Sequence, residues 1–157
     1  MYEGERRWRI AKDGNRQALE IFKRHYSYSN FNRKSNLFAG NGQTMVLVTE
    51  NYDALWVWRK GLYVASPRYI GVNCAIFRNE SKILSSELIL EAEDIWIKRY
   101  YKERFYTFVN ASKIKSHNPG YCFKKAGWAL IGKSLVNRHL IFEKYPESID
   151  YNGVVIR

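Results

Sequence analysis

The feature that most constrains the fold is the regular alternation of strand and helix patterns in the second half of the chain. Residues 71–77 form a β-branched and aromatic run, and residues 84–101 carry apolar side chains at helical spacing. A buried-strand pattern follows at 104–110, and a short helix is predicted over 121–126, with Pro119 near its first turn. This alternation predicts a mixed α/β (α+β) fold built from packed layers.

The first half of the chain adds a helix and a β-hairpin. Apolar residues at helical spacing predict a helix over 15–26, and the polar, Asn-rich residues 27–42 predict a long surface loop. Two β-branched and aromatic runs, 44–49 and 54–60, are separated by four residues and predict two antiparallel strands.

The chain closes with a second hairpin, predicted from the strand patterns at 128–132 and 139–144. A length of 157 residues is typical of one domain, and the sequence has no internal repeat and no proline-rich linker. We therefore expect a single domain over 1–157.

The chain is strongly basic, with 26 lysines and arginines against 15 acidic residues and a formal net charge of +11. The excess is concentrated in the first forty residues and in residues 110–145. Such a field attracts polyanions, which include nucleic acids and phosphate-bearing cofactors. A basic surface without a dedicated partner is the open alternative.

Several classes of protein are disfavoured by the sequence. No run approaches the roughly 18 apolar residues of a membrane span, and residues 1–11 are too charged for a signal peptide, so we expect a cytoplasmic protein without membrane contact. The two cysteines, Cys74 and Cys122, have no second cysteine or histidine at metal-ligand spacing beside them. They are interpreted as core thiols, and no metal site is predicted.

The closing helix carries a motif that connects the chain to a family. Residues 118–128 read Asn-Pro-Gly-Tyr-Cys-Phe-Lys-Lys-Ala-Gly-Trp, with Phe123 followed by three helical residues and then by Gly127 and Trp128. In this motif, and in the order of elements over 44–144, the chain resembles the GNAT acyltransferase superfamily. The resemblance implies a mostly antiparallel central sheet with helices on both faces.

The resemblance also implies a cofactor, acetyl-CoA or another acyl-CoA. In GNAT proteins two neighbouring strands splay apart, here those ending at Phe77 and Asn110, and a pantetheine arm pairs with the free strand edge. The pyrophosphate then lies over the N-terminus of the following helix. The loop 78–84 differs from the family pattern because it contains no glycine. The residues placed to bind the cofactor are Arg78, Lys82, Ser85 and Ser86.

One branch of the superfamily, the phage Mom-like proteins that modify adenine in DNA, also lacks the usual loop. This chain is similar to them at His25-Tyr26-Ser27, at Arg78 and at 106–110. The resemblance implies a phage-encoded transferase that acts on DNA in the host cytoplasm. Phe123 stands where many GNAT proteins have a catalytic tyrosine, and Tyr121 is the candidate acid in its place. By this comparison the residues near the reacting centre are Arg78, Asn110, Asn118 and Tyr121.

Aromatic and basic residues elsewhere are predicted to contact nucleic acid. A rim formed by the aromatic residues after the first helix could stack on an extruded base, although an ordinary helix end is the alternative. Trp56 and Trp58 could stack in the same way, against the alternative of core packing. The predicted contacts are His25, Tyr26, Tyr28, Arg33, Lys34, Arg59, Lys113, Lys115 and Lys124.

Two other functions stay open at this point. One is an N-acetyltransferase for a small molecule or a protein amine. The other is a non-catalytic nucleic-acid-binding protein on the same scaffold, whose affinity would fall steeply with salt.

Overall fold

A seven-stranded sheet runs through the centre of the computed structural model. The strands are Trp8–Ala11 (β1), Gln43–Thr49 (β2), Ala54–Lys60 (β3), Val72–Asn79 (β4), Phe105–Val109 (β5), Ala129–Lys133 (β6) and Leu140–Lys144 (β7), in the spatial order β1-β2-β3-β4-β5-β7-β6. Two further short strands, Ser148–Ile149 (β8) and Val155–Ile156 (β9), pair with each other. The structure describes residues 5–30, 35–62, 66–114, 117–146, 148–149 and 155–156.

Neighbouring strands of this sheet are antiparallel except β4 and β5, which run parallel. The long helix α2 (Ser85–Arg99) connects them and provides the crossover that a parallel pair requires. The other helices are α1 (Arg16–Lys23) and α3 (Tyr121–Lys125), and short 3-10 segments lie at Tyr26–Asn30, Pro67–Tyr69 and Ala111–Lys113. The predicted mixed α and β class with a mostly antiparallel sheet is confirmed.

The side chains of β3 alternate between two buried clusters. Trp56 and Trp58 are fully buried and pack with apolar residues of α2 and α3, and the indole of Trp58 donates to the carbonyl of Ala92 at 3.0 Å. Leu55 and Val57 pack with apolar residues of α1. Both tryptophans are therefore core residues, and the alternative in which they stack on a base is wrong.

The edge strand β1 is a difference from the sequence prediction. Its four residues, Trp8–Ala11, are too few to give a clear strand pattern, and Ile10 is exposed although Trp8 is buried. A carboxylate of α2 holds the strand instead: Glu91, only 2% exposed, accepts hydrogen bonds of 2.7 Å from the backbone N–H groups of Arg7 and Trp8. This tertiary contact supplies what the local pattern lacks.

The region after α1 also differs from the prediction. The helix ends at Lys23, and the N–H groups of Arg24 and His25 donate to carbonyls three residues earlier, which tightens the chain into a 3-10 turn. The 3-10 segment Tyr26–Asn30 then occupies the start of the predicted loop 27–42. This tight turn brings the residues after α1 to the ends of β4 and β5.

Candidate active site

The strands β4 and β5 pair briefly and then separate. Their parallel register begins at Val72 and Phe105 and stops at Cys74 and Thr107, although β4 continues to Asn79. The Thr107 hydroxyl donates to the Cys74 carbonyl at 2.9 Å. The register between β3 and β4 shifts at the same level, and such a bulge bends a strand. Within the described part of the chain, β4 beyond Cys74 has no strand partner on the β5 side.

This divergence opens a cavity of about 130 Å³ between the two strands. Its walls come from β4, β5, α3 and the segment after α1, and Phe123 and Gly120 close the α3 side. Most of the lining is apolar. The polar lining side chains are His25, Tyr26, Thr107 and the two cysteines.

His25 lies in the cavity as a neutral imidazole. The backbone N–H of Ser27 donates to Nδ1 at 3.2 Å, and the Ser27 hydroxyl oxygen lies 2.7 Å from the same nitrogen. Because Nδ1 accepts, the proton of the neutral ring is on Nε2. Burial, followed by the positive charge of Arg78, lowers the pKa of His25 to about 4. At neutral pH the ring is therefore a hydrogen-bond donor rather than a base.

Tyr26 lies against His25, with ring centroids 4.2 Å apart. Its hydroxyl oxygen accepts a hydrogen bond of 3.4 Å from the backbone N–H of Asn110, just beyond β5. Burial raises the pKa of Tyr26, so the phenol keeps its proton at neutral pH. The phenol thus adds a second donor to the cavity.

The thiols of Cys74 and Cys122 both line the cavity. Burial raises the pKa of each, that of Cys122 to about 11. Since the thiolate is the nucleophilic form, these neutral thiols contribute shape rather than nucleophilic chemistry. The sequence did not assign Cys122 or Thr107 to the site, because nothing in the apolar runs around them shows which face is open.

The loop between β4 and α2 is closed by the side chain of Asn79. Its Oδ1 accepts from the backbone N–H of Ser81 at 2.9 Å, and its Nδ2 donates to the carbonyl of Ile83 at 2.7 Å and to Oγ of Ser85 at 2.9 Å. These bonds fix the loop without the glycines of the family pattern. Of the predicted cofactor ligands on it, Ser85 bonds to Asn79, Ser86 is half-buried in the first turn of α2, and Lys82 is exposed.

The acidic side chains beside the N-terminus of α2 are neutralised by arginines. Arg24 binds both carboxylate oxygens of Glu80 at 2.7 and 2.8 Å, and Arg78 binds one of them at 2.6 Å. The hydrogen bond from Arg24 is the largest cause that lowers the pKa of Glu80 to about 2. Glu87 pairs with Arg7 at 3.0 Å. Two guanidinium groups against one carboxylate leave the mouth of the loop positively charged.

Arg78 and Asn110, two of the four residues predicted at the reacting centre, do not line the cavity but interact with His25 and Tyr26, which do. Arg78 holds Glu80 and lowers the pKa of His25 through its charge. Asn110 donates its backbone N–H to Tyr26, while its side chain accepts from the N–H and hydroxyl of Ser112 at 3.2 and 2.6 Å.

The other two lie on the segment that begins α3. The side-chain oxygen of Asn118 accepts from the amine of Lys124 at 2.9 Å, and Tyr121 is 53% exposed. Neither lines the cavity described between β4 and β5. The structure therefore brings His25 and Tyr26 to the cleft, where the sequence prediction had placed Tyr121.

The predicted nucleic-acid contacts are dispersed. His25 and Tyr26 lie in the cavity, and Tyr28 packs edge-on against Phe22, with centroids 5.4 Å apart. Arg59, Lys113 and Lys124 are exposed. Arg33, Lys34 and Lys115 lie outside the described residues.

Comparison with family models, with curated proteins and with solved structures finds no significant match for this chain. Among the described residues, no helix is both long and apolar enough to cross a membrane. In the same ranges, no three histidine, cysteine, aspartate or glutamate side chains are grouped so that they could hold a metal ion. The geometry of the cleft is thus the basis for a functional assignment.

The lowered pKa of His25 gives a pH dependence that can be measured. The unfolded chain binds a proton at this ring near pH 6.5, whereas the folded chain does so near pH 4. Stability from this group is therefore lost as the pH falls between these values. We expect the thermal midpoint of the wild type to fall more than that of His25→Asn over this window. Parallel pH profiles for the two proteins would mean that the ring titrates normally.

Proposed function

We propose that this protein is a group transferase of the GNAT type, which holds an acyl thioester between β4 and β5 and transfers its group to a base in nucleic acid, as the Mom-like resemblance implies. The observation that carries the proposal is the divergence of the two strands beyond Cys74 and Thr107. A free strand edge beside an apolar cavity suits an extended pantetheine arm. The two core clusters, one with α1 and one with α2 and α3, agree with helices on both faces of such a sheet.

The size and charge of the cleft suit two parts of the cofactor, the thioester end inside the cavity and the phosphates outside it. A cavity of about 130 Å³ is smaller than the roughly 300–1,000 Å³ of a pocket for a drug-sized ligand. It suits the slender thioester end, with the phosphates outside it over the first turn of α2. There Arg78 and Arg24 outweigh Glu80, and Lys82 is exposed beside them. The charge and the helix N-terminus both favour an anion.

The chain's own contribution is a pair of neutral donors. An acyl thioester supplies an electrophilic carbonyl carbon when bound. The Nε2–H of His25 and the O–H of Tyr26 can stabilise negative charge that develops on an oxygen in a cavity whose lining is mostly apolar. Burial, followed by the charge of Arg78, keeps the His25 ring neutral, and the N–H of Asn110 donates to the Tyr26 phenol oxygen.

The same donors favour a particular kind of acceptor. An alkylamine is an ammonium ion at neutral pH and must lose a proton to a base before it attacks. The described lining of the cavity includes no group whose pKa suits that task, because the pKa of His25 is about 4 and that of Cys122 is about 11. The exocyclic amine of a nucleobase is already neutral, and the proton that it loses when the N–C bond forms can go to the thiolate that departs as the C–S bond breaks. This favours nucleic acid over a small-molecule or protein amine.

The cofactor part of the proposal is tested by filling the cleft. Ala75 lines the cavity, so Ala75→Phe should weaken acetyl-CoA binding by at least about tenfold, because the ring takes the space of the ligand. Ala129→Phe, on the exposed strand β6, is the matched control and should bind as the wild type does. Calorimetry measures both. Absence of heat and of a thermal shift with millimolar acetyl-CoA would remove the cofactor from the proposal.

The acceptor part is tested in cells. DNA from cells that express the protein should contain a modified nucleoside, detected by mass spectrometry after digestion to nucleosides. DNA that stays unmodified in every growth condition, while acetyl-CoA binds, would point to another acceptor.

A further inference from the structure

The turn between β6 and β7 holds two apolar side chains out in solvent. Leu135 is 81% exposed and Val136 is 90% exposed. The turn is closed by three hydrogen bonds: Ser134 N–H to the His139 carbonyl at 2.8 Å, Arg138 N–H to the Ser134 carbonyl at 3.1 Å, and His139 N–H to Ser134 Oγ at 3.0 Å. The two side chains are thus presented by a turn with a defined backbone.

The surroundings of this turn are cationic. Lys133 and Arg138 flank the two apolar residues, and both are exposed. In the described parts of 110–146 the only carboxylate is that of Glu143, which pairs with Arg104 at 2.7 Å. No ion pair involves Lys133 or Arg138 within the described residues. The charge of this end of the molecule is therefore available to the phosphates of a nucleic acid.

The position of the turn connects it to the cleft. In the sheet, Leu140 at the start of β7 lies opposite Val109 at the end of β5, and Val109 lines the cleft. The turn therefore projects from the edge of the sheet at which β4 and β5 separate. An open concavity of about 580 Å³ lies between the turn and the segment that contains Tyr69, and its lining includes the two apolar residues of the turn. The ring of Tyr69 lies 5.9 Å from that of Phe108, on the cleft wall.

We propose that Leu135 and Val136 form a wedge that enters the base stack of duplex DNA, while Lys133 and Arg138 bind the phosphates on either side. Apolar side chains inserted between base steps unstack them and kink the duplex. An enzyme that reacts with a base must first take the base out of the stack. The wedge opens the duplex next to the cleft between β4 and β5. That the cleft receives the extruded base rests on the proposed function.

The size of the wedge distinguishes DNA from a lipid surface. A segment that binds in a membrane interface presents a broad apolar face, often with aromatic residues. Here two aliphatic side chains stand at the end of one narrow turn, between cations. Two such side chains on a narrow turn can enter between two adjacent base pairs.

The experiment uses the full chain, without cofactor, and a duplex that contains 2-aminopurine, whose fluorescence increases when it leaves the stack. The wild type should raise the emission on binding. The double variant Leu135→Ala with Val136→Ala should lower that rise by about tenfold and weaken binding by less than about threefold, because its phosphate contacts are intact. Leu130→Ala with Ile131→Ala, at two residues of β6 that are each 46% exposed, is the matched control and should keep both properties.

The flanking cations should show the opposite pattern. Lys133→Gln with Arg138→Gln should weaken binding and reduce the slope of log affinity against log salt by about 2. An emission rise that is absent in the wild type, or that is equal in the Leu135→Ala, Val136→Ala variant, would overturn the wedge. Loss of vesicle binding by that variant, with unchanged 2-aminopurine emission, would overturn it in favour of a membrane contact.

The outcome is separate from that of the proposed function. An emission rise that depends on the wedge, in a protein that never modifies DNA, would contradict transfer to DNA and leave the wedge standing. Modification of duplex DNA at the wild-type rate by the Leu135→Ala, Val136→Ala variant would contradict the wedge alone.

Discussion

Replacing His25 with asparagine is expected to lower the rate of the proposed group transfer by about 10²–10³-fold, which is the usual effect of removing one preorganised donor to a developing oxyanion. The amide of asparagine reaches the position of Nδ1, so it can keep the contact with Ser27. It has nothing at the position of Nε2. The variant should therefore fold and bind acetyl-CoA nearly as the wild type does, while turnover falls. Transfer to DNA is measured by mass spectrometry of nucleosides.

Two further variants make this result specific. His117→Asn removes an exposed histidine outside the cleft and should transfer at the wild-type rate. Tyr26→Phe removes the second donor and should also lower the rate, by an amount that does not simply add to the first because the two groups serve one charge. Full activity of His25→Asn, with acetyl-CoA affinity unchanged, would exclude the ring as a donor in the reaction.

The second large effect is on stability, and it concerns a buried carboxylate of α2. Glu93 is 5% exposed and accepts from the indole of Trp128 at 3.0 Å and from the amine of Lys144 at 2.7 Å. Glu93→Ala leaves Trp128 without its acceptor and leaves the Lys144 amine with the Ala126 carbonyl, at 2.8 Å, in place of a carboxylate. We expect a loss of about 3 kcal/mol in the free energy of unfolding, the lower end for a broken buried pair, because the Lys144 side chain is 21% exposed. Urea unfolding measures this loss.

A double variant separates the cost of the charge left on Lys144 from the cost of losing the contacts of the Glu93 side chain. Glu93→Leu combined with Lys144→Met removes both charges and should recover much of the stability, because a well-packed apolar pair often replaces a buried ion pair without loss. Glu50→Ala breaks an exposed pair with Arg9 and should cost about 0–1 kcal/mol. If Glu93→Ala were as mild as Glu50→Ala, the Ala126 carbonyl and solvent would be sufficient partners for the Lys144 amine.

The sequence predicts most of the element order, because strong local patterns mark it. The apolar periodicity of 84–101 closely bounds α2, and the runs at 44–49 and 54–60 contain β2 and β3 almost to the residue. Local patterns do not predict the strand β1, because its position depends on Glu91, more than eighty residues away. Local periodicity carries no information about a contact of that separation.

The candidate site is less predictable for the same reason. The location between β4 and β5 follows from the resemblance, but the position of His25 in the cleft depends on a 3-10 turn after α1 that propensity does not indicate. Glu80 looks repulsive to a phosphate in the sequence, and its neutralisation by Arg24 joins residues 56 positions apart. Burial, followed by the charge of Arg78, lowers the pKa of His25, and neither the burial nor the approach of Arg78 is visible in a linear pattern.

The long reach of these contacts has a consequence for the order of assembly. The bond from Trp8 to Glu91 closes a loop of 83 residues, and that from Arg24 to Glu80 closes one of 56. Non-local contacts form only after the intervening chain exists, and their closure entropy slows folding. During synthesis the N-terminal segment therefore cannot form these contacts until α2 has been made. A nascent chain that stops before α2 contains His25 but has nothing that places it at a cleft.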